Sequence, residues 1–225
     1  MRLKSNNSKF RGRPSDTIIN WGNVKQVHNS RYLNPLSAVQ AAANKLETFR
    51  LLKQASVPTP EWFTSASNLD PDQTYVARTE LYGHSGVGIV TAKPEDLPSA
   101  PLYTQFIDKV AEYRAIVVGD KVVDFKQKKK RNSQSEDNPD GHIGEHDPYV
   151  WNLNGGYVFA RNDINPPIEA APTSIGAVQA LGLTYGAVDL IEDAEGKIYV
   201  LEINTAFGIE GTTLQLVGDA IKELL

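Results

Sequence analysis

Residues 186–204, GAVDLIEDAEGKIYVLEIN, determine the architecture expected for the C-terminal half of the chain. Two apolar runs flank the turn-forming residues Asp193–Gly196, which is the pattern of a β-hairpin. Side chains two residues apart in a strand share a face, so Glu202 and Asn204 lie on the same side of the second strand. This strand therefore presents a carboxylate and an amide oxygen together.

Asp189, on the first strand, joins this face if the connection between the strands has two or four residues. A three-residue connection turns Asp189 to the opposite face unless a bulge restores it. None of the three residues is a cysteine or a histidine, and their oxygens suit Mg²⁺ or Mn²⁺ shared with phosphates. The other residues of the second strand are apolar, which indicates a covered strand, and a solvent-facing polar row is the alternative. The predicted metal ligands are Asp189, Glu202 and Asn204.

Composition excludes several classes of function. The chain has 225 residues, 40% of them hydrophobic, and its 23 basic and 27 acidic residues give a net charge of −4. The absence of cysteine excludes disulfides, cysteine nucleophiles, thiolate zinc sites and iron–sulfur clusters. No apolar run approaches the ~20 residues that span a bilayer, and the first residues lack the apolar stretch of a secretory signal. We expect a folded globular protein in the cytoplasm.

The remaining sequence predicts an α+β order of elements. Apolar residues at three- and four-residue steps predict one helix from Leu36 that ends before Val57, where prolines follow. Gly119-Asp120 between two apolar runs predicts a second hairpin. The further predicted elements are strands at 74–78, 88–91 and 101–107 and helices at 173–181 and 212–225.

Two segments lie outside this predicted core. Residues 1–34 are basic and polar and predict a tail with one strand near Thr17, and an arm that binds nucleic acid is the alternative. Residues 132–148 contain almost no large apolar side chains and predict a mobile loop of the kind that covers active sites.

A glycine-containing loop follows the strand that ends at Arg78. Backbone amides in such a loop can approach phosphate oxygens closely, and the arginine can offset their charge. The spacing matches neither the dinucleotide fingerprint nor the P-loop, so a flexible hairpin loop is the alternative. The candidate phosphate-binding residues are Arg78, Gly83, Ser85 and Gly86.

Residues 126–131, KQKKKR, continue the strand that follows Gly119-Asp120. Lys126, Lys128 and Lys130 face one way in a strand, and the alternate residues face the other. Such a run is often a solvated face or an RNA-binding stripe. Because this run leads directly into the predicted loop, we expect at least one of its cations to contact phosphate.

Taken together, these segments resemble the ATP-grasp ligases over about residues 35–225. Within that superfamily the sequence is most similar to the ribosomal-protein-modification and D-alanine ligase branches. The residues that carry the resemblance are Asn44–Lys53 with Val57–Pro60, Val76–Arg78 with GHSGVGI, Tyr103–Ile107, Glu112–Arg114 and GAVDLIEDAEGKIYVLEINTAFGIEGTT at 186–213.

The resemblance implies an ATP-grasp fold in which two α+β lobes, at 35–107 and 108–225, clamp ATP. The N-terminal substrate domain of larger relatives would be absent or reduced to residues 1–34. Lys45 would reach the phosphates, and Arg78 stands where many members carry a second lysine. The residues implied for adenine and ribose are Gln105, Phe106, Ile107 and Asp108.

The resemblance also implies an ATP- and Mg²⁺-dependent ligase that joins a carboxylate to an amine through an acyl phosphate. The partners would be ATP, a carboxylate and an amine, each a small molecule or a peptide. A membrane is not expected, and a homo-oligomer stays open. The cations expected to orient the transferring phosphate are Arg114, Lys128, Arg131 and Arg161.

Two other functions remain open at this point. An ATP-grasp kinase would stop at phosphorylation, and phosphate release with and without an amine separates it from a ligase. A non-enzymatic nucleic-acid-binding module would use the basic residues of the first segment and of 126–131. The net charge of −4 counts modestly against that second alternative.

Overall fold

Two antiparallel sheets form the framework of the computed structural model, which describes residues 12–26, 30–82, 88–130, 149, 151 and 156–225. The elements in chain order are β1 (Thr17–Ile19), β2 (Arg31–Leu33), α1 (Leu36–Ala43), α2 (Lys45–Gln54), β3 (Trp62–Phe63), β4 (Tyr75–Arg78), β5 (Ile89–Ala92), β6 (Leu102–Gln105), β7 (Lys109–Val118), β8 (Lys121–Lys130), β9 (Tyr157–Ala160), α3 (Ala170–Ala180), β10 (Tyr185–Asp193), β11 (Ile198–Asn204) and α4 (Gly211–Glu223). Short 3₁₀ helices lie at Ala66–Asn68 and Pro94–Asp96. The predicted α+β class is confirmed.

The larger sheet has the strand order β11-β10-β7-β8-β9 and contains both predicted hairpins. In the first hairpin Val118 pairs with Lys121 across Gly119-Asp120, and Gly119 has the positive φ of 64° that the turn needs. In the second, Glu192 pairs with Ile198, and the carboxylate of Asp193 accepts hydrogen bonds from the backbone N–H of Lys197. Both hairpin predictions are confirmed.

The smaller sheet has the order β3-β6-β4-β5 and contains the three strands predicted for residues 74–107. It packs around a small core of its own, formed with Tyr75, Ala77 and Tyr103. A few residues connect β6 to β7, so this connection links the two sheets. The division of the chain into lobes at residue 107 stays a prediction.

Each face of the larger sheet is covered by different elements. On one face, α1, α2 and α3 pack against apolar residues such as Ala115, Leu190 and Val200. On the other, α4 and residues near β2 pack against Ile116 and Tyr185. This second core occupies only one end of its face, which leaves the other end for polar side chains.

The single helix predicted to start at Leu36 is two helices, α1 and α2. Asn44 interrupts them in an extended conformation, and its side chain accepts a hydrogen bond from the backbone N–H of Glu47. Asparagine favours this capping role over a position inside a helix. Ala43 of the predicted apolar face is the last residue of α1 and is exposed. The prediction was wrong because an unbroken periodicity was assumed.

The N-terminal segment also differs from the predicted tail with one strand. β1 is present, but β2 pairs with it in parallel, with Ile18 opposite Tyr32. Trp21 stacks on Tyr185 and donates from Nε1 to the Phe207 carbonyl at 3.1 Å. The described part of this segment therefore packs on the larger sheet. Four of its basic residues, Arg2, Lys4, Lys9 and Arg11, lie outside the described residues.

Asn34 attaches this segment to the start of β10. It is fully buried and has a φ of 63°. Its Oδ1 accepts from the backbone N–H of Thr184 at 2.7 Å, and its Nδ2 donates to the carbonyl of Tyr185 at 2.8 Å. Its own carbonyl accepts from Asn20 Nδ2 at 2.9 Å.

No helix in the described part of the chain is long and apolar enough to cross a membrane.

We expect Asn34→Ala to lower the free energy of unfolding by about 2–4 kcal/mol, because it leaves buried backbone groups unpaired and strains a positive φ. Asn34→Gly relieves the strain but not the lost hydrogen bonds, so it should cost less than alanine. Urea unfolding measures both. An alanine variant within ~0.5 kcal/mol of the parent would contradict this role for the side chain.

Candidate active site

A row of charged side chains crosses four strands of the larger sheet. Glu202 on β11 pairs with Asp189 on β10, Asp189 pairs with Arg114 on β7, and Arg114 pairs with Lys126 on β8. Directly paired residues share a face, so the four side chains project from the same side. We call them the charged row. Its β11 end is acidic and its β8 end is basic.

A β-bulge in β11 produces the acidic end. Asp189 pairs with Glu202 and Leu190 pairs with Val200, so Leu201 is the extra residue. Without the bulge Asp189 would face Leu201, and Glu202 would lie on the opposite side of the sheet. A bulge was one of the conditions under which Asp189 was expected to join this face. The expectation of a shared face is met, although Asp189 lies directly opposite Glu202 instead of diagonally.

The three predicted metal ligands lie together at this end. The Nδ2 of Asn204 donates to Glu202 Oε1 at 2.9 Å and lies 3.4 Å from Asp189 Oδ2. Arg114 donates from Nε to Asp189 Oδ1 at 2.6 Å and from Nη2 to Oδ2 at 2.7 Å. Asp189 is only 4% exposed, so this charge-assisted pair is almost fully removed from water.

The donor set fits a divalent cation that also binds phosphate. Within the described ranges, no group of three or more His, Cys, Asp or Glu side chains could hold a metal ion. The two carboxylates supply hard oxygens and leave positions free for phosphate oxygens and water around Mg²⁺. Asn204 turns its Nδ2 toward both carboxylates, so its oxygen would join the donor set only after a rotation of the amide. Burial and the negative charge of Asp189 raise the pKa of Glu202. A cation between the two carboxylates would remove that repulsion.

Two cations from the other part of the chain lie within electrostatic range of Glu202. Lys45 begins α2, and its backbone N–H donates to the Leu81 carbonyl beyond β4 at 3.0 Å. Arg78 ends β4 and is 8% exposed. Burial lowers the pKa of both groups, and the charge of Glu202 acts on both in the opposite direction.

Arg78 has an unsatisfied donor. Its Nε is buried and has no hydrogen-bond partner among the described residues. A buried guanidinium N–H without a partner is costly unless an anion or water completes it. This observation supports the prediction that Arg78 contacts phosphate.

Sequence reasoning gave Glu112 no role, yet it accepts from two lysines beside the charged row. Glu112 is buried on β7, with Lys109 Nζ at 2.7 Å from one carboxylate oxygen and Lys128 Nζ on the other. Phe159 on β9 pairs with Lys128 across the strands, and its ring centroid is 4.7 Å from Arg114 Cζ. The sequence pattern that could have indicated Glu112 was the Glu112–Arg114 stretch, which contributes to the resemblance to ATP-grasp ligases. Phe159 had none, because β9 was not predicted.

Arg161 lies at the far edge of the sheet in a different set of contacts. Its Nε and Nη2 each donate to Asp124 at 2.9 Å, and Nη2 also donates to Thr213 of α4 at 2.9 Å. Thr213 in turn donates to Asp124 at 2.7 Å. Arg161 therefore ties β8 to α4. Its expected role at the transferring phosphate is a prediction that these contacts do not address.

The segment predicted to hold adenine connects the two sheets. The backbone N–H groups of Gln105 and Phe106 already donate to the carbonyls of Glu61 and Thr74, at 2.7 and 2.9 Å. Asp108 is exposed. Ile107, which precedes Asp108, is half-buried. The predicted site residues Gly83, Ser85, Gly86 and Arg131, and the loop at 132–148, lie outside the described residues.

Comparisons with known proteins identify the fold. No protein-family model matches the chain. A probable α-L-glutamate ligase from Haemophilus influenzae is 27% identical over 198 residues, which cover 79% of this chain and 60% of that protein. D-alanine–D-alanine ligase from Bacillus anthracis matches with a TM-score of 0.59 and 16% identity, over 85% of this chain and 70% of that one.

A further solved structure contains ligands. The ATP-grasp ligase PsnB, complexed with a phosphomimetic variant of its minimal precursor, Mg and ADP, matches with a TM-score of 0.59 and 16% identity. The match covers 87% of this chain and 63% of that one. The chain thus has the ATP-grasp fold, and the resemblance to ATP-grasp ligases inferred from its sequence is confirmed. It spans about 60% of the length of the curated relatives it matches.

We expect Arg161→Met to lower the free energy of unfolding at pH 7 by about 2–3 kcal/mol, because it leaves the buried Asp124 carboxylate poorly compensated. Arg50→Met, which breaks the exposed pair with Glu47, is the control and should cost less than ~0.5 kcal/mol. Equal costs for the two variants in urea unfolding would contradict the assignment.

The loss of unfolding free energy in Arg161→Met should also depend on pH. Burial acts to raise the pKa of Asp124, but hydrogen bonds from Arg161 and Thr213 and the charge of Lys126 lower it below its ordinary value. The ionised carboxylate therefore stabilises the fold above the unfolded pKa of ~3.9 and loses this effect as pH falls through the folded pKa. The difference between parent and variant should shrink toward pH 3.

Proposed function

We propose that the protein is an ATP- and Mg²⁺-dependent ligase that joins a carboxylate to an amine through an acyl phosphate. The observation that carries the proposal is the charged row, in which an oxygen-donor pair adjoins Arg114 and is approached by Lys45 and Arg78. This arrangement supplies opposite charges at neighbouring positions, as phosphoryl transfer requires. Names of the matched relatives, which include ligases, support the same class.

Asp189, Glu202 and Asn204 would hold the divalent cation. When bound, the cation would offset negative charge on the phosphate oxygens. Glu202 contributes charge from β11, and Asn204 orients it through the 2.9 Å hydrogen bond. Arg114 fixes Asp189 in position through its two hydrogen bonds.

The cations around this pair would bind and orient the phosphates. Lys45 and Arg78 would neutralise the nucleotide side, and the unsatisfied Nε of Arg78 would donate to a phosphate oxygen. Arg114 and Lys128 would contact the phosphoryl group as it moves to the carboxylate. The reaction needs no covalent enzyme intermediate, so positioning and electrostatics carry the catalysis.

We further propose that the amine substrate is an amino acid, with L-glutamate as the first candidate. The support is the Haemophilus influenzae relative, which is named a probable α-L-glutamate ligase. The carboxylate partner is a small molecule or a peptide. A kinase reaction that stops at phosphorylation would release ADP at the same rate with and without the amine.

Glu202→Gln keeps the size of the side chain and removes its charge. We expect Mn²⁺ affinity in the presence of ADP to fall at least tenfold, and ATP turnover to fall about 10²-fold or more, because the oxygen pair loses one carboxylate. The folded pKa of Glu202 is raised, so its ionised form destabilises the metal-free protein and the variant should be no less stable.

The exposed Glu195, in the same hairpin, supplies the control Glu195→Gln, which should change neither quantity. Calorimetric titration measures the Mn²⁺ affinity, an ADP-release assay measures the turnover, and thermal unfolding measures the stability. Unchanged Mn²⁺ affinity in Glu202→Gln would refute the metal assignment.

Arg78→Met removes the guanidinium with the unsatisfied Nε. We expect ADP affinity to fall about 10- to 100-fold, which corresponds to one or two lost charge-assisted hydrogen bonds. Arg78→Lys restores charge but not the planar donor arrangement and should recover only part of the affinity. Calorimetry with ADP and Mg²⁺ tests this, with Arg31→Met on the exposed end of β2 as the control. Full ADP affinity in Arg78→Met would remove Arg78 from the phosphate site.

A further inference from the structure

Lys126 forms the basic end of the charged row and differs from its neighbouring cations. Its side chain is 20% exposed, and its Nζ lies 3.6 Å from Asp124 Oδ2, which is beyond a hydrogen bond. No residue in the described part of the chain accepts a hydrogen bond from it. The two Asp124 oxygens already accept from Arg161 and Thr213.

Asp124 and Glu112 each face two cations, and the two sets differ in their hydrogen bonding. Asp124 is shared by Arg161 and Lys126, and Arg161 holds it through two hydrogen bonds. Glu112 is likewise shared by Lys109 and Lys128, but both of those lysines hydrogen-bond it. Lys126 is therefore a mostly buried cation that shares its carboxylate with Arg161 and has room for a further anionic partner.

The register places Lys126 on the side of Arg114 away from the predicted metal ligands. Neighbouring strands lie about 4.8 Å apart. Arg114 is adjacent to the Asp189 carboxylate, whereas Lys126 is one strand further from it. In an amino acid substrate, the α-carboxylate lies next to the attacking nitrogen and a side-chain carboxylate lies further away. A second carboxylate of this kind would extend toward the strand that carries Lys126.

Phe159 provides an apolar surface beside this position. Its ring is 41% exposed on β9, with Arg114 Cζ at 4.7 Å and Lys128 Nζ at 5.7 Å from the centroid. The methylene groups of an acidic side chain can pack on such a ring while the carboxylate reaches a cation.

We infer that Lys126 binds the side-chain carboxylate of an acidic amino acid and thereby selects the amine substrate. This inference rests on the proposed function and adds the residue that sets the substrate class. Because a carboxylate and a carboxamide of equal size differ mainly in charge, the ratio of affinities for L-glutamate and L-glutamine isolates this contact.

The test is calorimetric titration of the full chain, saturated with ADP and Mg²⁺, with L-glutamate and with L-glutamine. We expect the parent to bind L-glutamate at least tenfold more tightly, and Lys126→Met to bind the two equally. Lys126→Arg should restore the preference. The control Lys121→Met, on an exposed lysine of the same strand, should retain it. A general structural defect would weaken both ligands and leave their ratio unchanged.

The outcomes separate this inference from the proposed function. An unchanged ratio in Lys126→Met, or no preference in the parent, overturns the inference and leaves the ligase proposal standing. A parent that binds ADP with Mg²⁺ but neither amino acid also overturns it. A parent that does not bind ADP with Mg²⁺ contradicts the proposed function, and the inference fails with it.

Discussion

The cross-strand register of the larger sheet is the constraint on which the site depends. Four residues far apart in sequence form the charged row because each pairs directly with the next. The bulge at Leu201 shifts β11 by one residue and brings Glu202 opposite Asp189. A single-residue slip would send an acidic side chain into the apolar core, where an unpaired charge is strongly destabilising. Because the apolar side chains of β10 and β11 must face the core, the polar side chains of these strands are held on the opposite face.

Charge along the row is graded, which gives the sheet two chemically distinct ends. Glu202 and Asp189 at one end form an oxygen pair whose mutual repulsion a cation would relieve. Arg114 compensates Asp189, whereas Lys126 at the other end has no hydrogen-bonded carboxylate within the described ranges. The other end of this face is apolar, and the N-terminal segment covers it. Asn34 and Trp21 contact Tyr185 there. One face thus combines a structural half and a polar half.

Local sequence patterns predicted the helices and strands well where turn residues and apolar periodicity determine them. Both hairpins, the strands at 74–107 and the helices near residues 173 and 212 are present close to their predicted bounds. The predictions were wrong at Asn44, where a cap divides one periodic run into two helices, and at β2, whose three residues pair only with a strand about a dozen residues earlier. β9 was missed as well, because four residues at a sheet edge give no periodicity to detect.

The sequence by itself determined the type of site and its acidic end. Spacing in β11 placed Glu202 and Asn204 on one face, and the resemblance to ATP-grasp ligases placed Asp189, Lys45 and Arg78 near them. Only the tertiary structure decided the register between strands, since a bulge moves a side chain across the sheet without changing the composition. It also decided how the charges are shared: which carboxylate Arg161 neutralises, that Glu112 accepts from two lysines, and that Lys126 lies 3.6 Å from Asp124 without a hydrogen bond. Those facts depend on distances between distant segments, and local patterns do not encode them.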